Sequence, residues 1–237
     1  MKKVTFINPK GGVGKSTLAL MSSISLASRF TDSDVLMLDL DIQATSSRSL
    51  KRFENDRLRI YGSAEFMVPS GAPYKSAITS FVVEANNDDG QFLVIDTPAG
   101  VSVRDYPFLS VCDYIFVPTS CSDADLSATY DFLDQLDSDG LFVHSRTRKK
   151  PLVVLLPNQV FSKKDINEVR LAFDKFPVLF GKSLPYSIKM RKAFRPDSDD
   201  KTLKQLLRAT RGYFDWMTTL ISGDLRLPDK IDRLYQL

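Results

Sequence analysis

The sequence predicts an α/β protein, with a doubly wound, mostly parallel sheet flanked by helices. Three features carry that expectation. Short apolar runs alternate with segments of helical period along the chain. A glycine-rich loop, residues 9–17, stands between the first apolar run and the first helical segment. Two further apolar runs end in aspartates, Asp39 with Asp41 and then Asp96. Open α/β sheets place their ligands at that carboxyl edge.

Taken in order, residues 4–7 read as a buried strand and residues 17–30 as the helix after the loop. Residues 35–43 read as a second apolar strand ending in two carboxylates, 44–53 as a helix, 58–61 as a short strand and 74–85 as a helix. Residues 92–96 make the next strand, and a short helix over 103–110 leads into a strand at 113–118. The helix expected at 123–136 sets Leu126, Tyr130, Leu133 and Leu136 at helical spacing. A strand at 152–156, a helix at 163–173, a strand at 178–184 and one long helix at 199–220 complete the pattern. The 237 residues suit one large domain, with 221–237 as a C-terminal tail or helix.

Composition narrows the function classes. A hydrophobic fraction of 43% with 26% charged residues is ordinary for a globular protein. No apolar run approaches a membrane span, and the first strand starts at Val4 with no signal peptide before it. The expected location is the cytoplasm. Cys112 and Cys121 form no C-x-x-C pair, which argues against a disulfide scaffold, a metal site or a redox centre. His144, the single histidine, reads as a surface residue.

The loop itself reads Pro-Lys-Gly-Gly-Val-Gly-Lys-Ser-Thr and meets the pattern G-x-x-x-x-G-K-[ST] with one glycine read flexibly. Gly11, Gly12 and Gly14 let successive N–H groups, with that of Val13, converge on phosphate oxygens. The helix N-terminus adds positive potential, and Lys15 neutralises the β/γ-phosphates. Ser16 would place its hydroxyl on Mg²⁺, with Thr17 completing the nucleotide contacts. A nucleotide with Mg²⁺ is therefore the expected ligand of the loop. Period-2 geometry puts Asp39 and Asp41 on the same side of an extended chain. Each acid alone reads as a solvated strand end. Three of them beside such a loop read as a site.

The spelling of residues 10–17 resembles the deviant Walker A loop of the ParA/MinD family of ATPases. Residues 35–43 resemble the family's D-x-D-P-Q segment, with Ile42 where proline is usual. Residues 92–100 resemble its Walker B strand and switch loop, and 154–158 the strand whose terminal Asn158 faces adenine. Residues 187–194 resemble the basic stretch before the final helices, while 195–200 depart from the usual E-A-x-x-x-G. The resemblance runs from about residue 3 to 220 and implies an ATP-bound sandwich dimer. It implies that Lys10 reaches the phosphates held by the second copy, that Asp41 orients or activates the attacking water, that Asp39 supports the magnesium shell and that Asp96 contacts Mg²⁺.

Charge distribution adds a partner. Residues 1–145 carry a net −7, residues 146–211 a net +11 and residues 212–237 a net −1. A basic block in an acidic fold implies a polyanion, most simply DNA phosphate, against the plainer possibility of a solvated basic face. Lys189, Arg191, Lys192 and Arg195 lead the candidates, followed by Arg146, Arg148, Lys149, Lys150, Lys163, Lys164, Lys204, Arg208 and Arg211. No DNA-reading helix-turn-helix precedes the loop, so the resemblance is to the short ParA type. It implies a nucleoid-associated partition or positioning ATPase, stimulated by a ParB-like or other cargo-adaptor protein. A MinD-like membrane-cycling ATPase is the alternative; the charges of 229–233 cancel, so the tail lacks the basic amphipathic helix that reading needs. A metabolic relative on the same fold is the third, and Cys112 and Cys121 fit a cluster carrier poorly.

Overall fold

The structure, a computed structural model, describes residues 1–41, 51–63, 74–86, 90–142, 151–193, 200–228, 231 and 233–237. Its strands are β1 (Lys2–Phe6), β2 (Val35–Asp39), β3 (Leu58–Gly62), β4 (Phe92–Asp96), β5 (Tyr114–Thr119), β6 (Leu152–Val160), β7 (Leu179–Phe180), β8 (Leu184–Pro185) and β9 (Tyr235–Gln236). The helices are α1 (Lys15–Arg29), α2 (Tyr74–Glu84), α3 (Asp123–Ser138), α4 (Lys163–Ala172), α5 (Ile188–Ala193), α6 (Asp200–Ala209) and α7 (Arg211–Ser222). The sheet runs β3-β2-β4-β1-β5-β6-β7-β9, with β8 also on β6, and each of these pairings is parallel.

Parallel strands need both faces covered, and the sequence supplies this with apolar runs rather than alternation. Every residue of β2 and β4 is buried. The pleat then divides their side chains. Val35, Met37, Val94 and Phe116 join a layer with Leu18, Met21 and Leu26 of α1 and Phe214, Trp216 and Met217 of α7. Leu36, Leu38, Ile95 and Val117 join the opposite layer with Ile78 of α2, Phe132 and Leu133 of α3 and Val169 of α4. Each such side chain contributes about 1.5–3 kcal/mol on burial. The strands are thus held from both sides, and their carboxyl ends become a fixed edge.

Several expected boundaries move. The helix expected over 44–53 lies outside the described residues as far as residue 50, and Lys51–Phe53 is a 3₁₀ turn. The helix expected at 103–110 is two 3₁₀ turns, Val103–Asp105 and Pro107–Val111, because Pro107 opens the second and cannot continue the first. Strand β6 continues through Pro157, which falls between its pairings with β7 and β8, to Val160. The strand expected at 178–184 is split into β7 and β8 at Gly181. A Cβ there would lie 2.7 Å from both Leu156 Cδ2 and Trp216 Cη2. The long helix over 199–220 is broken at Thr210, whose backbone (φ −105°, ψ 8°) leaves the helical region and whose hydroxyl donates to the Leu206 carbonyl at 2.8 Å. Helix α5 arises within the basic stretch, where no element was expected. After Ser222 the described residues contain no helix; Tyr235 N–H donates to Val178 O and Leu237 N–H to Phe180 O, both at 2.9 Å.

Candidate nucleotide-binding site

The site grows from the carboxyl end of β1. Asn8 is fully buried there and holds three partners. Its amide donates to Pro118 O at 2.9 Å and to Thr129 Oγ1 at 2.8 Å, while its Oδ1 accepts the Lys10 N–H at 2.9 Å. Thr129 in turn donates to Thr119 Oγ1 at 3.0 Å. The loop is thereby tied to β5 and α3. Sequence reasoning missed Asn8; the available signal was an asparagine closing a buried strand just before Pro9.

Gly12 (φ 82°) and Gly14 (φ 98°) take left-handed conformations, and a Cβ on Gly14 would overlap the Asn158 amide. Gly14 ends the loop as the N-cap of α1 without any side-chain cap. The first-turn N–H groups thus lack a capping side chain, the arrangement in which a helix N-terminus can receive an anion. The loop after β4 leans on the same structure, with Gly100 N–H donating to Pro9 O at 2.7 Å.

Lys15 is buried, and its ammonium donates to Lys10 O at 2.8 Å. Burial lowers its pKa, while Asp96 and Asp41 pull it back up. Lys10 is half-buried on the same loop. Asp39 and Asp96 are register partners at the ends of β2 and β4, and each is 1% exposed. Asp41 is half-buried, and its N–H donates to Asp39 Oδ1 at 3.1 Å. The structure thus brings Lys10, Lys15, Ser16, Asp39, Asp41 and Asp96 to one end of the sheet.

Asp96 holds an unsatisfied group at this end of the sheet. Burial, aided by Asp39 and Asp41, pushes its carboxyl up to about 8 against the opposing Ser16 hydrogen bond and Lys15 charge. Its Oδ1 is buried without a hydrogen-bond partner. An orphaned carboxylate oxygen beside a serine hydroxyl is a hard-oxygen donor set that fits Mg²⁺. Among the described residues, no three His, Cys, Asp or Glu side chains gather into a metal cage. Magnesium does not require one, since it usually takes one or two carboxylates together with phosphate oxygens and water.

This burial has a measurable consequence. The folded carboxyl binds its proton more tightly than the unfolded one, near 3.8. Its stabilising contribution is complete below that value and is lost as the pH rises through about 8. In metal-free protein, wild type should therefore lose stability relative to Asp96→Asn between about pH 5 and 8, by at most about 1.4 kcal/mol per pH unit. Urea unfolding of both proteins across that range tests it. Parallel curves would show that Asp96 is ionised throughout.

Beside the loop, Gly14, Thr17, Asn158, Gln159, Pro185, Tyr186, Ser187 and Met190 line a cleft with about 370 Å³ of empty space. Asn158 borders this cleft while its amide donates to Val13 O at 2.7 Å. Of the expected basic contacts, Lys189 is exposed on α5, and Arg191 and Lys192 follow it on that helix. Arg195, His144, Arg146, Arg148, Lys149 and Lys150 lie outside the described residues. Lys163, Lys164, Lys204, Arg208 and Arg211 are exposed; Lys164 pairs with Glu168 and Arg211 with Asp215. No helix among the described residues is long and apolar enough to cross a membrane.

A glycine-rich loop capping α1, a buried lysine within it and acids on two neighbouring strand ends together define a P-loop nucleotide-binding protein. The family model of the CobQ/CobB/MinD/ParA nucleotide binding domain matches residues 4–220, and the chain belongs to that family. Its ParA/MinD members are ATPases. The fold is similar to that of MinD from Aquifex aeolicus (TM-score 0.67, 17% identity, covering 97% of this chain and 100% of that one). It is also similar to the McdA–ATP complex of Cyanothece (0.62, 14%, covering 96% and 98%) and to a ParA family ATPase of Chlorobium tepidum (0.61, 15%, covering 95% and 99%). At these identities the likeness concerns the fold. No curated protein sequence matches the chain.

Proposed function

We propose that the chain is a ParA-like ATPase that closes an ATP-dependent sandwich dimer, binds DNA without sequence preference and positions a plasmid, chromosome or protein cargo. The observation that carries this reading is the pairing of two lysines on one loop. Lys15 is buried, and the Lys10 carbonyl holds its ammonium. Lys15 would serve the phosphates of its own site, with Gly11, Gly12, Val13, Gly14, Ser16 and Thr17 around them and Asn158 toward the base. Lys10 would serve those of the second copy. Charge developing on the transferred phosphoryl group is then stabilised only in the dimer, which ties hydrolysis to association. Ser16 and Asp96, with Asp39 behind them, would hold Mg²⁺, which neutralises charge on the β- and γ-phosphates when bound. Asp41 orients or activates the attacking water. Residues 1–237 act as one P-loop ATPase domain, with 221–237 as its tail.

DNA contact is assigned to Lys189, Arg191, Lys192 and Arg195. The run of exposed cations on α5, α6 and the start of α7 supports this. A cationic face without an inserted reading element gives salt-sensitive, sequence-insensitive binding. The edge strand formed by Tyr235–Gln236 favours a docked tail over a membrane-binding helix. A ParB-like or other cargo-adaptor protein would trigger hydrolysis in the cytoplasm, at the nucleoid.

Gel-shift titration with unrelated duplexes tests the reading. Retardation should require ATP and fall by more than about tenfold in affinity between 50 and 200 mM salt. The double substitution Arg191→Glu/Lys192→Glu should abolish it. Binding that survives charge reversal, or that needs no ATP, refutes the DNA assignment.

A further inference from the structure

We infer that Gln159 is a positioning residue for the phosphate-binding loop: its amide, presented by an irregularity at the end of β6, fixes the direction in which the loop's N–H groups face. This rests on the nucleotide reading and adds to it a residue outside the loop. Gln159 has φ 59° and is the one non-glycine residue with positive φ among those described. A β-carbon disfavours that conformation, which persists where surrounding contacts impose it. The register of β6 on β8 shifts at this point, between Asn158 opposite Leu184 and Val160 opposite Pro185.

The purpose of the kink follows from strand geometry. Neighbouring residues of a regular strand point to opposite faces, so Asn158 and Gln159 could not both reach the loop. The extra residue redirects the chain, and they do. Gln159 Nε2 donates to Gly12 O at 2.6 Å and Asn158 Nδ2 to Val13 O at 2.7 Å. Two successive strand residues thus hold two successive loop carbonyls. Peptide units are planar and trans, so a carbonyl held toward β6 turns the N–H of the same unit the other way. Anchoring Gly12 O and Val13 O therefore directs the N–H groups of Val13 and Gly14 away from β6, as a phosphate site requires.

The test uses the full chain and fluorescent ATP-analogue titration alongside urea unfolding. Gln159→Glu keeps the shape but replaces the donor with an acceptor facing the Gly12 carbonyl. Gln159→Gly removes the amide and relieves the backbone, and Gln159→Arg retains a donor. The Glu and Gly variants should each bind about tenfold more weakly. The Gly variant should unfold at a denaturant midpoint no lower than wild type, and the Arg variant should bind within about threefold of wild type. Wild-type affinity in both the Glu and Gly variants overturns the inference alone. Affinity loss in the Gly variant accompanied by a lower midpoint also overturns it, because the residue would then be a general prop. Absence of binding in the wild-type chain overturns the nucleotide reading and this inference together.

Discussion

Lys15→Gln is expected to abolish measurable ATP binding while leaving the fold intact. In the proposed site the charge-assisted contacts of Lys15 to phosphate oxygens would be lost, which would weaken binding by about 3 kcal/mol or more, roughly a hundredfold or greater. Stability should change little, because the ammonium is a costly buried charge. Burial is the largest influence on its pKa and opposes its charged form. Asp96, whose carboxyl burial pushes up to about 8, places less negative charge beside the ammonium than an ordinary aspartate would. Exchanging a buried charge for a neutral amide that can still donate to Lys10 O should keep the unfolding free energy within about 1 kcal/mol. Isothermal titration with ATP and urea unfolding of the same preparation separate the two effects. An ATP affinity near wild type would remove Lys15 from the site.

Asp41→Ala is expected to bind ATP and fail to hydrolyse it, with turnover down by about a hundredfold to ten-thousandfold, the range for removing a group that handles a proton. The ATP-bound protein should then accumulate as a dimer, since the step that would reopen it is lost. Asp41 is half-buried and donates its backbone N–H to Asp39. Alanine keeps that bond and deletes only the carboxylate. Phosphate release and analytical ultracentrifugation with ATP provide the two readings. Undiminished turnover would mean that Asp41 is a support for Asp39, and a monomer with bound ATP would count against the sandwich.

The parts of this protein legible in its sequence are those governed by burial on two faces. Residues 92–95 are apolar throughout because β4 lies between two layers, Asp96 closes the run, and the bounds of the strand are those expected. The acids at strand ends were legible for the same reason: a carboxylate that closes an apolar run must stand at the edge of the sheet. Less legible were features set by contact between distant segments. At Gly181, where β7 gives way to β8, the chain passes so close to Trp216, 35 residues further along the sequence, that no Cβ fits. The division of α6 from α7 depends on a hydroxyl that bonds back to Leu206, a choice that helical periodicity does not record. Asn8 and Gln159 hold the loop through single hydrogen bonds from polar residues at strand ends, where composition gives no periodic sign. The strand-loop-helix order was written locally, whereas the struts that brace the loop were not.

The short β9 ladder finishes the sheet on the side away from β3. Tyr235 of β9 and the following Leu237 donate their N–H groups to the carbonyls of Val178 and Phe180, which would otherwise offer unpaired acceptors to any extended peptide. Lateral growth of the sheet from one molecule into the next is thereby discouraged on that flank. Under the proposed function, self-recognition would fall to the end that carries the lysines, where it would be conditional on a bound triphosphate.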